Sequence, residues 1–149
     1  MEKMKLMLVD DEERFLSTMC KLLEKKGYDA ITAPNGSEAL EKLRTHNIHV
    51  VILDVKMPEM DGNATLREIK RQYPMIEVIM LTGHATVESA IDGLKSGASD
   101  YLMKPTDIDE LIRKAEQAYA KRQNLEEKIR VATMLRVSQS ARTILEENP

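Results

Sequence analysis

Aromatic side chains make up only 3% of this 149-residue chain, and tryptophan is absent. A core with so few rings must be filled by aliphatic side chains and by the ten methionines, whose unbranched thioethers fit irregular gaps between helices and sheet. Cys20 is the single cysteine, which excludes an intramolecular disulfide. No apolar run is long enough to cross a bilayer and no signal-type apolar region is present, so a cytoplasmic protein is expected. Positive charge is not in excess. With a net charge of −3 and no dense Lys/Arg cluster, direct binding to nucleic acid is not expected.

Charged residues at 32% and apolar residues at 42% suit a soluble globular chain and argue against disorder. The length exceeds what one hydrophobic core needs, which predicts a domain over residues 1–120 and a helical extension over residues 121–149. Within the domain, strand-like and helix-like runs alternate five times. The strands are expected at Lys5 to Val9, Tyr28 to Ala33, His49 to Leu53, Ile76 to Leu81 and Asp100 to Met103. Helical stripes lie between them: Phe15, Leu16, Met19 and Leu23, ended by Lys25-Lys26-Gly27; Ala39, Leu40 and Leu43; Leu66, Ile69 and Tyr73; Val87, Ala90, Ile91 and Leu94, ended by Gly97. Pro34-Asn35-Gly36, Pro58 and Asp61-Gly62 read as turns. Thr106 or Asp107 is expected to cap a last helix bearing Ile108, Leu111, Ile112 and Ala115. Connections this short demand right-handed crossovers, so the class is doubly wound α/β with a parallel sheet.

Asp10-Asp11, Asp54, Thr82 and Lys104-Pro105 each close one of the apolar runs, and a parallel sheet gathers them at its carboxyl edge, where open α/β sheets bind ligands. Three carboxylates held that close repel one another and any incoming phosphoryl group, so compensating positive charge is required. A hard divalent cation, Mg²⁺, suits these oxygen donors, with Asp11 and Asp54 as direct ligands and Asp10 acting through water. Asp54 is the expected nucleophile, with Lys104 and the Thr82 hydroxyl at the phosphoryl oxygens.

Together with the run Leu53 to Gly62, Leu81-Thr82-Gly83 and Tyr101 to Pro105, this pattern resembles the receiver domain of two-component response regulators, over roughly residues 4 to 120. The resemblance implies a five-stranded sheet of flavodoxin-like order 2-1-3-4-5 and a phosphoryl group received on Asp54 from a sensor histidine kinase or a phosphotransfer protein. It implies that the Lys56 backbone carbonyl is a further metal ligand and that the peptide bond before Pro105 is cis. It also implies that Thr82 and Tyr101 act as switch residues remodelling the surface of helix four, strand five and helix five. Such a protein is a phosphoacceptor with self-phosphorylation and autophosphatase chemistry, not an enzyme acting on other substrates.

Blander readings stand beside these. The Asp10-Asp11 pair fits an ordinary helix start, Thr82 fits a turn cap, and Tyr101 fits a half-buried core residue. His84 is placed at the mouth of the site or in an exposed loop; His46 and His49 lack partners at metal-ligand spacing, and Cys20 falls on an apolar helix face. A receiver-like scaffold working without phosphorylation is opposed by the five converging polar groups. A haloacid-dehalogenase-type hydrolase is opposed by Asp10-Asp11-Glu12, which does not fit Asp-x-Asp. Neither Gly-x-Gly-x-x-Gly nor a Walker loop occurs.

The extension carries six basic and four acidic residues. Leu111, Ala115, Ala118, Arg122, Leu125, Ile129 and Ala132 step by four and three, a coiled-coil seam interrupted by Arg122, and Met134, Val137, Ala141 and Ile144 continue it in shifted phase. Ser138-Gln139-Ser140 reads as a break. The seam points to a homodimer through the extension and the helix four, strand five and helix five face; a lone solvated helix is the alternative. The extension is too short for a helix-turn-helix domain, so no DNA-binding output domain is expected in this chain.

Overall fold

The computed structural model describes residues 3–56, 61–83 and 87–147. The chain divides into two compact units, Met1–Tyr119 and Ala120–Pro149. The first contains β1 (Lys5–Val9), α1 (Glu13–Lys25), β2 (Asp29–Ala33), α2 (Gly36–Leu43), β3 (Val50–Asp54), α3 (Gly62–Gln72), β4 (Glu77–Thr82), α4 (Val87–Lys95) and β5 (Asp100–Met103). The long α5 (Ile108–Glu147) supplies its first turns to this unit and the described part of the second.

All strand pairs are parallel and the sheet order is β2-β1-β3-β4-β5. The central strands β3 and β4 are buried along their whole length, as their continuous Val/Ile/Leu/Met runs demand, whereas β2 and β5 at the edges are only partly covered. Alternate residues feed two cores. Met7, Val9, Val51, Leu53, Val78 and Met80 pack with Ala39 and Leu43 of α2 and Leu66 and Ile69 of α3. Leu6, Leu8, Val50, Ile52, Ile79 and Leu81 point the other way, onto Leu16, Met19 and Leu23 of α1 and Leu111 and Ala115 of α5. A fully buried Leu or Ile contributes roughly 1.5–3 kcal/mol, so these two layers hold the strand ends in register.

Local chemistry sets the helix boundaries. Asn35 accepts the Glu38 N–H at 2.9 Å, Asp61 the Ala64 N–H at 2.7 Å, and Asp107 the Glu110 N–H at 2.7 Å, so α2, α3 and α5 start on side-chain caps. After α1 and α4 the backbone turns left-handed at Gly27 (φ +86°) and Gly97 (φ +105°). β2 begins one residue later than the pattern suggests, because the Tyr28 N–H is committed to the Leu23 carbonyl at 2.9 Å, closing the end of α1. In the second unit the helix runs through Ser138-Gln139-Ser140 without the expected break. These residues only weakly disfavour helix, and the Gln139 carbonyl accepts the Thr143 hydroxyl at 3.0 Å. Among the described residues no helix is long and apolar enough to cross a membrane.

Candidate functional site

Asp10 follows β1, Asp54 ends β3, Thr82 ends β4 and Lys104 follows β5. Since the strands are parallel and adjacent, all four arrive at the carboxyl edge of the sheet. Asp54 is in register with Leu81, and Thr82 with Met103; the Lys104 N–H donates to the Thr82 carbonyl at 2.8 Å and the Val55 N–H to that of Leu81 at 3.0 Å. These bonds extend the ladder past the last strand residues and fix the edge on which the side chains stand. Asp10, Asp54 and Thr82 are buried, with relative exposures of 1%, 5% and 4%. Asp11 is exposed.

One carboxylate oxygen from each of Asp10, Asp11 and Asp54 can be chosen so that all lie within 4.8 Å of one another. The Lys104 ammonium stands over this group, 2.6 Å from Asp10, 3.3 Å from Glu12 and 3.9 Å from Asp54. Asp10 Oδ1 accepts the Glu12 N–H at 2.9 Å, and Asp54 Oδ1 the Lys56 N–H at 3.3 Å. Asp10 Oδ2 is buried and pairs with the Lys104 ammonium. The peptide bond between Lys104 and Pro105 is cis. A β-carbon on Gly62 would stand 2.6 Å from Val55 Cα, so only glycine lets the start of α3 close against the backbone beside Asp54.

Burial, then the Asp10 charge and with a smaller share that of Asp11, pushes the Asp54 carboxyl up to about 6; Lys104 and the Lys56 N–H oppose the rise. For Lys104, burial works against the charged form, yet Asp10, Asp54 and Glu12 together hold its pKa above the usual lysine value. Among the described residues a single ammonium faces these carboxylates, so the acid group is under-neutralised. Hard oxygen donors at this spacing, carrying more negative charge than the ammonium balances, fit a divalent cation such as Mg²⁺.

Tyr101 lies on β5, half-buried against the core beneath α2 and α3, with a pKa raised by burial and by Asp92. Cys20 is half-buried and its thiol, pushed up in pKa by burial and by Glu24, points at the Ala30 carbonyl. His49 sits at the opposite, amino edge, where its Nδ1 accepts the Lys5 N–H at 2.9 Å and its ring meets that of Tyr119 at 5.0 Å. It is a buried structural group remote from the acids. His46 is exposed. Pro58 and His84 lie outside the described residues.

Two contacts escaped the sequence reading. Glu12 reaches the Lys104 ammonium, and the Phe15 ring has that ammonium 4.8 Å from its centroid. Both residues lie at the start of α1, some ninety positions away in the chain. The apolar stripe that contains Phe15 signals only burial, and no spacing rule announces the lysine across from it.

The sequence profile of the response regulator receiver domain matches residues 6–116. The transcriptional regulatory protein ZraR of Escherichia coli (strain K12) is 43% identical over 115 residues, covering 77% of this chain and 26% of that protein. A putative NtrX-like response regulator of Rickettsia bellii is 37% identical over 131 residues, covering 84% of this chain and 27% of that protein. This chain thus spans about a quarter of the length of these curated relatives. Among solved structures, a receiver domain protein from Clostridium thermocellum superposes with a TM-score of 0.76 at 37% identity, covering 82% of this chain and 98% of that one. NtrX from Brucella abortus superposes with a TM-score of 0.81 at 30% identity, covering 87% of this chain and 30% of that one. The profile match across most of the chain, the 2-1-3-4-5 sheet and the acidic edge agree, and the chain belongs to the response regulator receiver domain family of two-component signalling.

Proposed function

We propose that this chain is a phosphorylation-dependent switch in which Asp54 accepts a phosphoryl group from the phosphohistidine of a sensor histidine kinase or phosphotransfer protein. The observation that carries this reading is the convergence of Asp10, Asp11 and Asp54 within 4.8 Å beneath the Lys104 ammonium. In the transfer an Asp54 oxygen forms a bond to phosphorus as the P–N bond of the donor breaks, and the bonding pair returns to the imidazole. Asp10, Asp11, Asp54 and the Lys56 carbonyl are the groups that would hold Mg²⁺, directly or through water. Bound there, the ion supplies the charge neutralisation that in-line phosphoryl transfer needs. Lys104 pairs with one phosphoryl oxygen, and the Thr82 hydroxyl donates to another.

Drawing Thr82 toward the new oxygens lets Tyr101 change position and remodels the face of α4, β5 and α5. That bistable element needs about 3 to 5 kcal/mol of differential interaction to move from mostly inactive to mostly active. Hydrolysis of the acyl phosphate at the same site resets the switch. The extension and the α4, β5 and α5 face would serve a homodimer. Intact mass after incubation with acetyl phosphate and Mg²⁺ tests the reading: one added phosphoryl group is expected in the wild type and none in Asp54→Asn. Absence of any adduct with acetyl phosphate and with a phosphohistidine donor overturns it.

A further inference from the structure

We infer that Phe15 is a positioning residue for Lys104: its ring face holds the ammonium over the acidic edge while the lysine's anionic partners change. The inference rests on the phosphoacceptor reading of the site. Its starting point is a contact that reading does not use. The Lys104 ammonium is 4.8 Å from the centroid of the Phe15 ring, inside the range in which the quadrupole of an aromatic face attracts a cation. Phe15 is the chain's only phenylalanine, and it is half-buried at the start of α1, packed against the core layer beneath α1 and α5.

Among the described residues, every other partner of the ammonium is a carboxylate: Asp10, Glu12 and Asp54. Two of them are committed elsewhere during the proposed chemistry, Asp10 toward a cation and Asp54 toward phosphorus. Glu12 is exposed, and its long side chain pairs weakly in water. The Phe15 ring is neutral, competes for neither metal nor phosphorus, and is anchored by its own apolar packing. It is therefore the contact that persists when the carboxylates are taken up. Lysine needs such a guide more than arginine would, since its four-carbon stem is flexible and its charge is a point rather than a fork. A leucine of comparable bulk fills the same core position but offers no π face.

The test compares the 149-residue wild type, Phe15→Leu and Phe15→Tyr. An ammonium stem above an aromatic face is shielded by the ring current, so the Lys104 Cε protons should lie upfield of the other lysines, assigned by their loss in Lys104→Ala. We expect this signature in wild type and Phe15→Tyr, and its disappearance in Phe15→Leu. The rate of phosphoryl uptake from acetyl phosphate should fall about two- to fivefold in Phe15→Leu and recover in Phe15→Tyr, as a single cation–π contact implies. The Mg²⁺ midpoint should stay the same in all three. An ordinary Lys104 signal in wild type, or Leu and Tyr variants that behave alike in both measurements, overturns the inference. No uptake by wild type would overturn the phosphoacceptor reading instead, and the proton shifts would still decide whether the ring holds the lysine.

Discussion

A β-carbon on Gly93 of α4 would overlap the hydroxyl oxygen of Tyr101 on β5. The ring reaches under the helix only because residue 93 has no side chain, and burial there, with Asp92 nearby, keeps the phenol's pKa above its usual value. Gly93→Ala should therefore expel the end of the tyrosine ring rather than unfold the protein, at a cost of about 1–3 kcal/mol typical of overpacking. Spectrophotometric titration of the four tyrosines should show one of them moving down toward the ordinary value. An unchanged titration in a stable Gly93→Ala variant would mean that the ring does not depend on the glycine.

Asp54 carries a pH signature with a defined sign. Its carboxyl is near 6 in the folded protein against 3.8 unfolded, so between about pH 4 and 6 the native state binds more protons than the denatured one. Stability from this group therefore falls as pH rises through that window, and above it the full penalty of a buried, like-charged carboxylate is in force. In metal-free buffer at pH 7.5, Asp54→Asn should be more stable than wild type by on the order of 2–3 kcal/mol. Urea unfolding at intervals down to pH 4 should show the gap closing. A gap that is absent, or that widens as pH falls, contradicts the electrostatic account.

Much of this site is legible because each chemical residue closes an apolar run. Asp54 follows Val50 to Leu53, Thr82 follows Val78 to Leu81 and Lys104 follows Asp100 to Met103, so identifying the strands as parallel puts the side chains on one edge. One cap is readable for the same local reason, Asp107 being one of two good acceptors immediately before helical periodicity, whereas Asn35 and Asp61 read only as turn residues and prove to cap α2 and α3 as well. What periodicity reports is which side of an element is buried. It does not report what lies opposite, so the Phe15 contact with Lys104, the Glu12 contact and the Gly93 clearance for Tyr101 stayed invisible. Ser138-Gln139-Ser140 shows the converse failure, where residues with mild turn preference were overruled by the helix on either side.

His49 stands at the amino edge of the sheet, opposite the acids. Its Nδ1 accepts the Lys5 N–H at 2.9 Å at the amino ends of β1 and β3, and its ring packs tilted on Tyr119. Replacing it by leucine keeps bulk but leaves the Lys5 amide without that acceptor, which should cost about 1–3 kcal/mol. Phosphoryl uptake at the opposite edge should be unaffected. Thermal unfolding and intact-mass kinetics on the same variant separate the two effects, and a loss of uptake in a folded protein would tie the two edges together.

The second unit poses a different physical problem. From Ala120 to Glu147 it is a single helix with Leu125, Ile129, Met134, Val137 and Ile144 all exposed. A solitary helix gains little from hydrogen bonds that water can also supply, and helical stability in proteins comes mostly from packing an apolar face. A second copy of the chain provides such a face at no cost in new sequence. Arg122, which interrupts the seam, is already paired with Glu126 in its own helix at 2.7 Å, so its charge need not block association. The 149-residue chain should therefore sediment as a dimer, with helicity that increases with concentration, while truncation after Ala120 should give a monomer that keeps the sheet and the phosphoryl uptake expected at Asp54. Two monomeric species with equal helicity per tail residue at every concentration would eliminate the dimer and leave the extension a solvated helix.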